Sequence, residues 1–213
     1  MLIHLLKKYK YNLNEILKEI FIFNLIQKFY DKNTVIYDLG CSNSFRYEYF
    51  KNKTKIIGVE AFNYNISKNK YNEYLITDIL LFIKREKFPE NKKIFILNDV
   101  IEHFSKEDGI EIINLLSALK DSLIILFTPN GFISQSEIDN NPFQKHKSGW
   151  CCQEFKKNGF DILGSLGPKF LRKEEGELKY KPKFIWGIIS LLLFFPMALF
   201  PKQSFSLLAW KKT

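Results

Sequence analysis

The sequence predicts an α/β fold built on a doubly wound open sheet, and three observations predict it. Short apolar runs of strand length recur along the chain: TVIYDLG at 34–40, KIIGVEA at 55–61, EYLITDI at 73–79, KIFILNDV at 93–100 and SLIILFTPN at 122–130. Most are rich in β-branched or aromatic residues and nearly continuous in hydrophobicity, as strands covered on both faces are. Segments of helical character separate several of them, and such alternation winds a mostly parallel sheet. The third observation is that the runs end in polar residues: Asp38 before Gly40, then Glu60, Asp78, and Asn98 with Asp99. A ligand of such a sheet lies across the carboxyl ends of the strands, so polar groups there have a use. Each acid taken alone reads equally well as a turn or cap residue; the ordered set is what points to a ligand.

At 213 residues and 46% hydrophobic, the chain is long enough for one well-buried domain. It divides into a helical flank at 1–31, a ligand-binding core at 32–167, an apolar insertion at 168–203 and a last strand at 204–213, with no internal repeat. Between Asn12 and Tyr30, Ile16, Leu17, Ile20, Phe21, Ile26 and Phe29 recur at helical spacing, which describes an amphipathic helix lying against the domain. TVIYDLG runs into a glycine turn at Gly40, and Glu60 follows that glycine by twenty residues. At this interval a strand-end carboxylate can accept both hydroxyls of a ribose, so the ligand is of adenosine type. Further on, SKED opens a helix, with Ser105 as its cap and Asp108 in the first turn, ahead of the stripe Ile110, Ile113, Leu116 and Leu119.

The formal charge of +9 raises nucleic acid or an anionic membrane as partners. Of the basic residues only Arg46, Arg85 and Arg172 are arginine, the usual bidentate reader of bases and phosphates. Lysines scattered among Asn, Ile, Phe and Tyr read as a solvated surface, and no nucleic-acid partner is expected. Cys41, Cys151 and Cys152 are odd in number, contain no C-x-x-C pair and have no histidine cluster beside them, so neither a disulfide framework nor a metal site is expected. MLIHLLKKYKYN has too short an apolar run for a secretory signal, so a reducing, cytoplasmic setting is expected.

The ordered motifs resemble those of the class I S-adenosylmethionine-dependent methyltransferases. VIYDLGCSNS is similar to their first motif, IIGVEA to the second, ITDI to the segment beside the adenine, and FILNDVIEHF to the fourth-strand signature of the small-molecule O-methyltransferase branch. LIILFTPNGF, HKSGW and EFKKNGFDILG continue the likeness, which covers roughly residues 30–167 plus SFSLLAW at 204–210. The resemblance implies a Rossmann-like, seven-stranded, mostly parallel sheet with an antiparallel last strand, and S-adenosylmethionine as cofactor. It implies cofactor contacts from Asp38, Gly40, Ser42, Ser44, Glu60, Asp78, Ile79, Asn98 and Asp99. Ser42 and Ser44 stand where the family usually carries glycines. A dinucleotide cofactor fits less well, because G-x-G-x-x-G is absent.

The implied chemistry is an in-line displacement of a methyl group from a sulfonium, which needs positioning and, for a hydroxyl acceptor, removal of a proton. No metal is required for it. A histidine can take that proton near neutral pH, and His146 in the loop after the fifth run is the stronger candidate; His103 serves equally well to hold the loop after the fourth. NNPF at 140–143 is similar to the N-P-P-aromatic motif of adenine amino-methyltransferases, but lacks the second proline and follows the wrong strand.

FIWGIISLLLFFPMALFP, residues 184–201, carries no charge and is flanked by KYKPK and Lys202. Its length barely spans a bilayer, Pro196 interrupts a continuous helix, and the strands on either side belong to one sheet. The expectation is an inserted hydrophobic hairpin, monotopic or re-entrant on the cytoplasmic face of the inner membrane, with the lysines near anionic head groups. A buried helix pair or a dimer surface is the alternative. Together these describe a membrane-associated methyltransferase acting on a hydroxyl, or similar group, of a small or lipid-linked acceptor. A catalytically silent methyltransferase-like membrane adaptor is the second reading, and Ser42 and Ser44 are the feature that supports it.

Overall fold

A computed structural model describes residues 13–42, 47–63, 71–138, 140–173 and 176–213. In chain order the elements are α1 (Leu13–Phe29), β1 (Val35–Leu39), β2 (Lys55–Glu60), β3 (Glu73–Ile76), α2 (Ile79–Arg85), β4 (Lys93–Asn98), α3 (Lys106–Ser117), β5 (Ser122–Pro129), α4 (Cys152–Lys157), β6 (Asp161–Pro168), α5 (Lys183–Leu192), α6 (Phe194–Leu199) and β7 (Ser204–Lys212). The strands form one seven-stranded sheet in the order β3-β2-β1-β4-β5-β7-β6. β7 runs antiparallel to β5 and β6, and the other pairs are parallel.

The continuous apolar runs follow from this arrangement, because each strand feeds two cores. Tyr37, Leu39, Ile57, Val59, Phe95 and Leu97 pack on one face with α2, α3 and α4. Ile36, Ile56, Ile94, Ile96 and Ile125 pack on the other with Ile22 and Ile26 of α1. Period-two alternation splits every run between the faces, so no strand presents a polar side.

Two predicted helical faces are shifted. In α1, Ile16, Ile22 and Ile26 are buried together with Lys18 and Glu19, whereas Leu17, Ile20 and Phe21 are only half-buried. The Lys18 ammonium lies 4.0 Å from the centre of the Phe127 ring and 3.9 Å from the Glu19 carboxylate, which makes its burial tolerable. In α3, Ser105 Oγ accepts from the Asp108 N–H at 3.1 Å as the sequence predicts. The buried set there is Ile112, Ile113 and Leu116, with Ile110 exposed.

Residues 184–201 do not form a projecting hairpin. They form two helices in direct succession, α5 and α6, laid along β6 with Leu193 between them. Pro196 cannot donate to the Leu192 carbonyl and crowds it, which accounts for the break at Leu193. Close packing on β6 uses two glycines. A Cβ on Gly164 would come within 2.1 Å of the Met197 carbonyl oxygen, and one on Gly167 within 2.4 Å of Ser190 Oγ. Among the described residues no helix is long and apolar enough to cross a membrane.

Candidate active site

The strand order reverses between β1 and β4, and that is where the predicted residues meet. Leu39 pairs with Leu97, so Gly40 and Asn98 follow side by side at the carboxyl ends of β1 and β4. Gly40 has φ +72°, and a Cβ there would come within 2.4 Å of Val100 Cγ2, so both backbone and space require glycine. The chain then turns at Ser42, itself at φ 52°, whose N–H donates to Glu60 Oε2 at 2.8 Å. The Phe62 N–H donates to Glu60 Oε1 at 3.0 Å. Two amides thus fix a buried carboxylate at the end of β2.

Asp38 is buried at the end of β1, and its Oδ2 accepts from the Tyr71 hydroxyl at 2.8 Å. Burial, reinforced by the Asp38 charge, pushes both the Tyr71 hydroxyl and the Cys41 thiol well above their usual range. Asp78 caps α2, accepting from the Leu81 N–H at 2.9 Å, with Ile79 buried behind it. Asp99 sits at φ 55°, held by its N–H to the Phe127 carbonyl at 2.8 Å, and accepts from the Asn98 amide at 2.7 Å. Asn98 Oδ1 is buried without a hydrogen-bond partner.

These residues line two adjoining clefts. One is walled by Gly40, Glu60, Asp78, Ile79, Asp99 and His103 among others. The other takes in Asp38, Gly40, Ser42, Asn98 and Asp99. Every predicted cofactor residue therefore reaches one continuous trough, save Ser44, which lies outside the described residues.

His103 and His146 come together although the sequence separates them. Their ring centres are 4.9 Å apart, and with Glu102 they offer ligand atoms that all lie within 4.8 Å of one another. His146 Nδ1 lies 2.7 Å from the Ile133 carbonyl and His103 Nδ1 3.3 Å from the Lys145 carbonyl. A carbonyl only accepts, so both rings present an N–H at Nδ1. Glu102 is 2% exposed; its Oε2 accepts from the Thr128 hydroxyl at 2.9 Å, and its Oε1 is buried with no hydrogen-bond partner. Burial, with the Asp99 charge nearby, pushes the Glu102 carboxyl up to about 8. Burial, with His146 alongside, pushes His103 down to about 4, so its ring is neutral at physiological pH.

HKSGW is the clamp that brings His146 here. The Lys147 and Ser148 N–H groups donate to the Glu102 carbonyl at 2.8 and 3.1 Å. The buried Trp150 indole donates to the Ile101 carbonyl at 3.3 Å and to Ser148 Oγ at 3.0 Å. A Cβ on Gly149 would come within 2.4 Å of the Phe132 nitrogen, so only glycine lets the two segments close. Beyond the cluster a wider opening is walled by Phe127, Pro129, Ile133, Leu166, Phe205 and Arg172.

Sequence reasoning missed Glu102, although it adjoins His103 in IEHF, and expected no metal ligands. The signal was an acid and a histidine in one turn; the partner that completes them arrives only through the clamp. Thr128, which holds Glu102, is marked by no motif.

No protein-family model matches the chain, and no curated protein sequence matches it. Solved structures do. The chain is similar to a SAM-dependent methyltransferase from Archaeoglobus fulgidus, at 14% identity and a TM-score of 0.59 over 94% of each chain. It is similar to the plantazolicin methyltransferase BpumL in complex with a pentazolic desmethylPZN analog and SAH, at 18% identity and a TM-score of 0.52, over 99% of this chain and 89% of that one. It is also similar to the small RNA methyltransferase HEN1, at 17% identity and a TM-score of 0.53, over 92% of this chain and 25% of that one. At these identities the likeness shows the fold, and the chain has the class I S-adenosylmethionine-dependent methyltransferase fold.

Proposed function

We propose that the chain is an S-adenosylmethionine-dependent methyltransferase acting on a hydroxyl oxygen of a small amphiphilic acceptor, a lipid-linked one included. The observation that carries this reading is His103, which borders both the cleft beside Glu60 and Asp78 and the wider opening, whose walls mix apolar and polar side chains. A donor in the first and an acceptor in the second would meet at the Glu102, His103 and His146 cluster.

For the cofactor, Glu60 has further lone pairs for the ribose hydroxyls after accepting two amides. Asp78 and Ile79 flank the adenine end, and the unpartnered Oδ1 of Asn98 suits the ammonium of the methionine part. The transfer forms a bond from the acceptor oxygen to the methyl carbon and breaks the sulfur–methyl bond. The sulfonium leaves as a neutral thioether, and the hydroxyl proton passes to a base.

The cluster fits a divalent cation better than the lone histidine base expected from sequence. Each imidazole is oriented by a carbonyl on Nδ1, as metal-ligating histidines are, and Glu102 Oε1 is buried beside them without a hydrogen-bond partner. Mixed imidazole and carboxylate donors suit manganese, iron, cobalt or zinc. Such an ion, when bound, lowers the pKa of a coordinated hydroxyl.

The test is calorimetric titration of the purified protein with S-adenosylhomocysteine beside the Glu60→Ala variant. Micromolar affinity is expected, weakened in the variant on the order of 1.5 to 3 kcal/mol, about tenfold to hundredfold, for hydrogen bonds to a charged group. A folded protein that binds nothing would overturn the enzyme reading in favour of a catalytically silent scaffold.

A further inference from the structure

The pair α5 and α6 presents an outward face that nothing in the chain's described residues covers. Phe184, Ile188 and Leu192 recur every four residues on one face of α5, and Phe195 and Leu199 share one face of α6 beyond the break. Phe184, Leu192, Phe195 and Leu199 are each 70 to 79% exposed. The opposite side, with Ser190 and Phe194, is buried against the sheet. Scattered exposed apolar residues need no explanation, whereas a stripe of large ones marks a contact surface.

We propose that this stripe seats on an anionic lipid bilayer, in the plane of the head-group boundary. Charge selects that occupant. The stretch from Leu178 to Ser206 contains no acid, and Lys179 and Lys181 precede the stripe while Lys202 follows it. The nearest acid before it, Glu177, is paired with Lys183 at 3.0 Å. A second copy of the chain packed stripe to stripe would set lysine against lysine at both ends in either direction, whereas anionic head groups complement them. At the lysine-rich end Tyr180 and Trp186 pack with ring centres 4.8 Å apart and planes tilted by 38°, amphipathic side chains of the kind that settle at a membrane boundary. The helices are short and both ends return to β6 and β7 of one sheet, so the segment lies on the bilayer.

The seat adjoins the acceptor opening. Leu166 and Phe205 line that opening, and Gly167, next to Leu166, is the residue packed on Ser190 of α5. An acceptor with an apolar tail anchored in the bilayer would reach the opening from this side.

The test is flotation of the full chain with vesicles of phosphatidylcholine alone or with phosphatidylglycerol, at low and high salt. It needs no cofactor, so its outcome is separate from that of the S-adenosylhomocysteine titration. Expected is partitioning onto phosphatidylglycerol vesicles that falls with salt. Phe195→Glu with Leu199→Glu should abolish it while leaving the melting curve unchanged, both side chains being exposed. Lys181→Gln and Lys202→Gln should each weaken it about fivefold, the contribution of one lysine near an anionic surface. A wild-type monomer that stays off anionic vesicles would overturn the proposal. So would a dimer that the glutamate variant dissociates, or equal binding to neutral and anionic vesicles.

Discussion

The two sides of the switch point spend their polar groups differently. On the β1 to β3 side each acid is already tied to the chain: Glu60 to two amides, Asp38 to a phenol, Asp78 to the start of a helix. On the β4 to β5 side polar capacity is left over. Glu102 Oε1 and Asn98 Oδ1 are buried without partners, and the His103 and His146 rings stand beside Glu102. Buried polar groups are normally satisfied, and leaving one bare costs about 1 to 3 kcal/mol. The first side is a preset frame suited to one constant ligand, and the second keeps free valence for chemistry.

Substitution at Glu102 should break this contrast most severely. Glu102→Gln keeps the shape but cannot ionise onto a cation, so turnover should fall about a hundredfold or more, as for loss of a group acting at the reacting atoms. S-adenosylhomocysteine affinity should stay within about threefold, since binding is assigned to the other side. Calorimetry with manganese should show cation binding in the wild type only. Stability supplies a second readout in chelator-treated protein. The folded carboxyl titrates far above its unfolded value, so between the ordinary carboxylate range and about pH 8 the native state binds the extra proton. Wild-type stability should therefore fall as pH rises through that window, and the Gln variant should lack this slope. A wild-type melting temperature that does not move with pH would show that Glu102 is ionised through a partner other than a cation.

A smaller effect is expected one contact further out. Thr128, fully buried, holds Glu102 Oε2 at 2.9 Å. Thr128→Val keeps the volume and deletes the hydroxyl, which should cost about tenfold to hundredfold in cation affinity or turnover. If only thermal stability changed, Thr128 would be a core residue with no hold on the site.

The same contrast explains what was legible in the sequence. Strands covered on both faces leave unbroken apolar runs, so their number and order were readable, as was the turn at Gly40 with its acid at the end of β2. Which face each residue takes was not, because that depends on what lies across from it. Lys18 is buried because Phe127 and Glu19 are there, and Ile110 is exposed although it fits the stripe. In the same way Pro196 announced the break in the apolar segment, while its outward stripe depended on where Gly164 and Gly167 let the helices settle. Glu102 escaped notice because its meaning comes from His146, which HKSGW delivers through a tertiary clamp.

The mildest test separates a fold role from a ligand role on the frame side. Asp78 is exposed, yet its carboxylate accepts from Leu81 at the first turn of α2 and lines the cleft. Asp78→Ala removes the cap and should lower stability by about 0.5 to 2 kcal/mol, whereas Asp78→Asn, an equally good cap, should leave it unchanged. Thermal melts of the pair read the cap alone. If the side chain also contacts the adenine, S-adenosylhomocysteine affinity should fall less than tenfold in both variants, since Asn keeps the shape and loses the charge. Affinity lost in Ala but fully kept in Asn would mean that the residue serves the ligand only by starting the helix. The frame side would then bind its ligand through Glu60 and backbone shape.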